Sequence, residues 1–235
     1  MGRMPLLAFL LGISQAIAPA VGQDFGLQRR EMVDLQIRQR GIHETTVLKA
    51  MEQVPRHLFV PEPVRPKAYG DEALPLGPGR AIYQPYVVAL MTSLLDLQRG
   101  DRVLEVGTGS GYHAAVLSRI AKEVYSIEID SAVASQASRR LSALGYYNIN
   151  VRHGDGYQGW PDKAPFDAIL LSAAPPRLPK PLLDQLRVGG RMVVPVGGSF
   201  FQDLLVITKT ADGLEKRTVI PVRLTPMTGR VRDGE

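Results

Sequence analysis

A buried strand that runs without a break into closely spaced glycines leaves a chain few folds to adopt. Here that stretch is Val103-Leu104-Glu105-Val106-Gly107-Thr108-Gly109-Ser110-Gly111, and the residues after it return to a helical apolar pattern. Strand, glycine turn and helix in that order open one unit of an α/β sheet, and the glycines let the backbone come close to a ligand at the carboxyl end of the strand. Strands are predicted at 102–106, 124–128, 149–153 and 166–172, with helices at 111–121, 131–144 and 180–186 between or after them. This alternation predicts a mostly parallel sheet with helices on both faces. Three further strands at 191–196, 204–210 and 215–222 lack long helices between them, so that edge of a seven-stranded sheet is expected to be antiparallel.

Upstream of this core, 28–40 and 44–54 read as two extra helices, the first ending at Gly41 and the second at Pro55. The stretch 55–79 carries Pro61, Pro63, Pro66, Pro75 and Pro78. It is too punctuated for regular elements and is expected to be an ordered arm. Pro85 suits the first turn of a helix that continues through Leu95. Residues 1–22 combine Arg3, the apolar run Leu6-Leu7-Ala8-Phe9-Leu10-Leu11 and small residues at Ala18, Ala20 and Gly22. That is the pattern of a cleavable secretion signal, with an apolar N-terminal helix as the alternative. The expected organisation is a leader over 1–22 and a single domain over 23–235, with helices and arm at 23–83 and the cofactor-binding core at 84–235.

The glycine spacing bears on the ligand. A dinucleotide fingerprint asks for G-x-G-x-x-G, but here the third glycine comes one residue early. Glu105, two residues before Gly107, would repel a pyrophosphate and suit a cation. Glu128 stands 21 residues past Gly107, at the end of the second strand, where a carboxylate can take both ribose hydroxyls. Asp155, between Gly154 and Gly156 after the third strand, can accept from an adenine amino group. Together these features favour S-adenosylmethionine over NAD, with Glu105, Gly107, Thr108, Gly109, Gly111, Glu128, Asp155 and Gly156 as its candidate contacts. Ser172-Ala173-Ala174-Pro175 lacks the Asn or Asp and aromatic that hold an exocyclic amine, which points to an oxygen nucleophile.

Composition excludes other chemistries. With no cysteine, thiolate nucleophiles, zinc ribbons and iron–sulfur clusters are ruled out. None of the four histidines has metal-ligand spacing, so no metal is expected. The net charge of +5 is scattered, which reads as a solvated surface and not a nucleic-acid interface. No apolar segment after the leader is long enough for a membrane span. Trp160 reads as a packing residue.

Gly154-Asp155-Gly156-x-x-Gly159-Trp160-x-x-x-Ala164-Pro165-Phe166-Asp167-x-Ile169 resembles the signature of the protein-L-isoaspartate O-methyltransferase family. Val54-Pro55-Arg56, Ala68-Tyr69, Gln84-Pro85 and Gly189-Gly190-Arg191 are similar to other family landmarks, and the likeness runs from Leu27 to Gly229. It implies a Rossmann-like class I methyltransferase fold and transfer of a methyl group from S-adenosylmethionine to the carboxylate of L-isoaspartyl residues in damaged proteins. The protein partners are therefore isoaspartyl polypeptides, and a monomer is expected. One departure stands out. The family carries Ile-Ser-Gln-Pro where this chain has Ile82-Tyr83-Gln84-Pro85, and that serine is the residue usually named as active. By position, Tyr83 inherits the catalytic place and Gln84 and Pro85 meet the acceptor. Tyr83 could donate its O–H to the acceptor carboxylate; the alternative is an impaired or acceptor-altered relative. The cofactor and the family place the protein in the cytoplasm, whereas the leader would export it.

Overall fold

The computed structural model describes residues 24–232, so the expected leader at 1–22 lies outside the described residues. Helix α1 (Phe25–Glu31) is capped by the Asp24 carboxylate, which accepts from the Gly26 and Leu27 N–H groups. The chain continues as a π-helical stretch over Met32–Ile37 and a 3-10 turn over Arg38–Arg40, ending at Gly41 in a left-handed conformation. The helix expected at 28–40 is therefore continuous, but its hydrogen-bond pattern changes along its length. Helix α2 (Thr45–Gln53) buries Val47, Leu48, Ala50 and Met51.

The proline-rich arm is more regular than its composition implies. It contains 3-10 turns at Arg56–Phe59 and Glu62–Lys67, then a hairpin of β1 (Leu74–Gly77) and β2 (Arg80–Ile82). Pro78-Gly79 makes the turn, and Leu74 pairs with Ile82 across it. Proline is tolerated because this two-stranded ribbon lies apart from the main sheet and needs few ladder bonds. Helix α3 (Pro85–Leu94) starts on its proline.

The core then follows: β3 (Arg102–Val106), α4 (Tyr112–Ser118), β4 (Glu123–Glu128), α5 (Ser131–Ala143), β5 (Ile149–His153), β6 (Phe166–Leu171), α6 (Lys180–Gln185), β7 (Leu186–Gly197), β8 (Gln202–Thr210) and β9 (Gly213–Val222). The seven strands lie in the order β5-β4-β3-β6-β7-β8-β9. Pairing is parallel from β5 through β7 and antiparallel at β7–β8 and β8–β9, as the missing helices required. Strand β7 begins earlier than expected. Its first residues pair Leu186 with Phe166, and an irregularity in register then absorbs Gly189 and Gly190 before Arg191 meets Ala168.

One apolar cluster runs from Met32 and Met51 through Phe59 and Tyr112 to Val193 and Leu204. The other face of the sheet packs Leu104, Ile127, Phe166 and Met192. Phe59 ties the arm to the core: it is fully buried and meets the Tyr112 ring edge-on at 5.6 Å and the Tyr146 ring at 6.3 Å. Arg56 beside it is equally buried, donates to the Ala68 carbonyl at 2.8 Å and has its guanidinium 5.0 Å from the Tyr112 ring centroid. Phe59→Ala is expected to destabilise the protein by about 3–5 kcal/mol through the cavity it leaves. Tyr147→Ala, at an exposed ring, should stay within about 0.5 kcal/mol of the parent. Denaturant midpoints of the two variants check this, and equal midpoints would refute the anchoring role of Phe59.

Candidate active site

The sheet order reverses direction at β3, because β4 and β5 lie on one side of it and β6 on the other. At such a switch point the loops leaving adjacent strands part and leave a crevice. A cavity of about 440 Å³ lies there, a size suited to a small-molecule ligand. Its floor comes from Val106 to Ser110 after β3, Ile127 to Asp130 after β4, Gly156 after β5, and Ser172 and Ala173 after β6. Its roof is the β1–β2 hairpin, and one wall is the segment 225–228 that follows β9.

The glycine turn is held from β4. The Gly107 and Thr108 N–H groups both donate to the Ile127 carbonyl, at 2.8 and 3.3 Å, and the Gly109 N–H donates to Glu128 Oε2 at 2.9 Å. Gly107, Gly109 and Gly111 all have positive φ, which a side chain would disfavour. At Gly109 no atom lies within 4 Å of where a Cβ would stand, so the space beside it is open to a ligand. Gly156 is the opposite case: a Cβ there would collide with Val106 Cγ1. Glu128 takes a second bond from the Asp130 N–H at 3.2 Å, and its two oxygens retain unused lone pairs toward the cavity.

Tyr83, Gly107, Thr108, Gly109, Glu128 and Gly156 thus come together around one cavity. The other five candidates do not line it. Gly111 caps α4 and packs against Leu141. Asp155 was expected at an adenine, but its carboxylate accepts from the Tyr157 N–H at 3.0 Å and the Arg230 N–H at 2.9 Å, fastening the end of the chain to β5. Gln84 donates to the Asp71 carbonyl at 3.0 Å and Pro85 is buried as the first residue of α3, so neither faces an acceptor in the cavity.

Glu105 also departs from expectation. It is fully buried behind the turn, with Ser126 Oγ 2.5 Å from its Oε2 and Thr108 Oγ1 a further 2.6 Å along. Burial pushes its carboxyl up from the ordinary 4.5 to about 8, and the nearby Glu128 charge adds to the rise. It is therefore a neutral prop under Thr108 at pH 7, not an anion facing a cation. His113, which lines the cavity, is held down to about 3 by burial. Thr92 Oγ1 donates to the Val88 carbonyl and so accepts from His113 Nε2, 3.0 Å away, leaving the ring neutral.

The Tyr83 hydroxyl is already engaged. It donates to the Ser172 carbonyl at 2.6 Å and accepts from the Thr225 N–H at 3.1 Å. In this arrangement its single proton lies on the Ser172 carbonyl, so donation to an acceptor carboxylate requires that bond to be exchanged. Tyr83 joins the arm, the end of β6 and the segment after β9 at one atom. Burial raises its ionisation above the ordinary 10, which keeps that proton in place.

Sequence reasoning missed the roof and the wall. Arg80, at the hairpin, reaches Asp130 Oδ2 at 3.1 Å across the cavity mouth, and Asp130 also caps α5. The Pro78-Gly79 turn between Leu76 and Ala81 was the local signal for the hairpin. The segment 225–228 had none. Trp160 packs on Tyr125 and Arg152, away from the cavity, as a packing residue does. Among the described residues no three His, Asp or Glu side chains gather as for a metal, and no helix is long and apolar enough to cross a membrane.

Strand order, glycine turn and crevice define a Rossmann-like class I methyltransferase fold. A solved protein-L-isoaspartate O-methyltransferase superposes with a TM-score of 0.78 at 29% identity, covering 86% of this chain and 67% of that one. A Plasmodium falciparum structure described as a member of the same family, in complex with S-adenosyl-L-homocysteine, shares the fold with a TM-score of 0.73 at 23% identity, over 85% of this chain and 98% of that one. The chain belongs to the protein-L-isoaspartate(D-aspartate) O-methyltransferase family, whose model matches residues 27–232. A protein-L-isoaspartate O-methyltransferase of Synechococcus sp. is 52% identical over 216 residues, covering 89% of this chain and 88% of that protein. One of Roseiflexus sp. is 54% identical over 206 residues, covering 88% and 94%.

Two measurements test this geometry. Tyr83→Phe leaves the Ser172 carbonyl and Thr225 N–H without their partner and should cost about 1–3 kcal/mol in denaturant unfolding; no loss would refute the clasp. Glu105 gives a pH signature. Below about 4.5 its carboxyl is protonated folded and unfolded alike. From there to about 8 unfolding releases a proton, so the contribution of this group to stability falls as pH rises and levels off above about 8. Glu105→Gln should remove that slope from the stability–pH curve, and an unaltered slope would show that Glu105 ionises normally.

Proposed function

We propose that the protein uses S-adenosylmethionine to methylate the carboxylate of L-isoaspartyl residues in damaged polypeptides, the first step in their repair. The observation that carries this reading is the convergence of an open glycine turn and a ribose-competent carboxylate on one cavity, in a chain half-identical to named isoaspartyl methyltransferases along nearly all its length. The cavity fits the cofactor. The open side of Gly109 admits its backbone contacts, Glu128 has lone pairs for ribose hydroxyls, and Gly107, Thr108 and Gly156 complete the cradle.

When bound, S-adenosylmethionine supplies an electrophilic methyl on a sulfonium. The acceptor carboxylate is ionised at pH 7, with a pKa of roughly 3.5–4, so the chain needs no general base. Its residues bind, align and exclude water. Ile82 and Val88 contribute apolar wall, and the neutral His113 adds no competing charge. Tyr83 fixes Ser172 and Thr225 on the acceptor side, and nothing in that clasp removes the reaction. The impaired-relative reading has no support from the comparisons. Acceptors vary in sequence, so recognition of the damaged residue itself rests on its main chain and carboxylate.

The test is transfer of a tritiated methyl from S-adenosylmethionine to an isoaspartyl peptide, with a base-labile ester as product and the normal aspartyl peptide as control. Absence of incorporation with cofactor binding intact by calorimetry would overturn the reading. Glu128→Ala should weaken cofactor binding by about 10–100-fold, the worth of a charged hydrogen bond; unchanged affinity would remove Glu128 from the cofactor site.

A further inference from the structure

Phe200 and Phe201 lie in the turn between β7 and β8, and both rings stand in solvent, 82% and 88% exposed. Neither belongs to either apolar cluster of the core. Two adjacent aromatic rings held in water form an apolar patch with no partner among the described residues.

The turn that carries them is held at both its ends to segments that lead into the cavity. Gly197 enters it at φ 147°, so close to the Phe201 carbonyl that a Cβ could not fit. The Gln202 side chain donates to the Gly198 and Leu224 carbonyls and accepts from the Leu224 N–H at 2.7 Å. Leu224 leads directly into Thr225, bonded to Tyr83 on the cavity wall. The Gly197 N–H donates to the Pro175 carbonyl at 3.0 Å, two residues beyond Ala173 of the floor. Because β7 runs parallel to β6, its carboxyl end lies on the same edge of the sheet as the cavity.

We propose that Phe200 and Phe201 dock apolar side chains flanking the reacting isoaspartyl residue of the acceptor polypeptide. This rests on the isoaspartyl methyltransferase reading and adds a determinant of which acceptors bind well. Continuity points to this occupant: the turn shares the sheet edge with the cavity and is bonded to its floor and wall segments, so flanking residues of an acceptor whose carboxylate enters the cavity have this edge to extend over. Damaged, locally unfolded segments present apolar side chains to meet the rings, and aromatic platforms accept them without demanding one sequence.

The test compares two isoaspartyl peptides, one flanked by leucines and one by serines and glycines. The wild-type protein should show a roughly tenfold lower KM for the leucine peptide, and Phe200→Ser/Phe201→Ser should bring the two KM values within about twofold. Calorimetry with S-adenosylhomocysteine should give the same cofactor affinity in both proteins, which confirms a folded variant. Activity with no preference in the wild type, or a preference that survives the substitution, overturns the docking role and leaves the enzyme reading intact. Methylation of neither peptide by the wild type overturns both. A dimer by sedimentation that dissociates on substitution, with the preference retained, would assign the rings to a second copy of the chain instead.

Discussion

Everything at the site depends on how one short length of main chain is held. The turn after β3 is pinned to β4 by three N–H groups, two on the Ile127 carbonyl and one on Glu128. This places three left-handed glycines beside the acid that ends β4. A ligand approaching that acid therefore meets bare backbone on its other side, with no side chain to displace. The buried Glu105–Ser126–Thr108 chain supports the same turn from beneath. A neutral carboxyl is tolerated in that dry layer where a charged one would not be.

The common sheet supplies only the floor of the cavity. Its closure comes from pieces outside the alternating core, the β1–β2 hairpin before it and the segment 225–228 after it. These are joined to the sheet by a few long-range polar contacts: Arg80 to Asp130, Tyr83 to Ser172 and Thr225, and Asp155 to Arg230. The half-exposed Arg80–Asp130 pair is worth little in stability, about 0–1 kcal/mol. Its effect is to set where the hairpin rests over the cavity.

The parts of the fold legible in the sequence were those governed by local pattern. Val/Ile/Leu strands, the Gly107–Gly111 turn and the capped helix α5 each reveal themselves within a dozen residues. The hairpin at 74–82 was hidden by prolines that a short ribbon can accept. The site was legible where a role belongs to a residue's own backbone, as at Gly109, or to its place at a strand end, as at Glu128. It was illegible where a role depends on a distant partner. The partners of Tyr83 lie 89 and 142 residues away in the chain, and that of Asp155 lies 75 away. Glu105 illustrates a different limit. Alternation places it on the face of β3 opposite Leu104, but both faces of this sheet are covered, so the side chain meets no solvent on either.

The wall fastened by Tyr83 is built from main-chain atoms: the Ser172 carbonyl, the Thr225 N–H, and the paired Ala174 and Pro226 segments. Met227 anchors the segment by its side chain in the core below, and the single phenol of Tyr83 gathers the main-chain groups above it. A serine at position 83 would be too short to hold the Ser172 carbonyl and the Thr225 N–H at one atom, so the size of this side chain sets how closely the two segments meet.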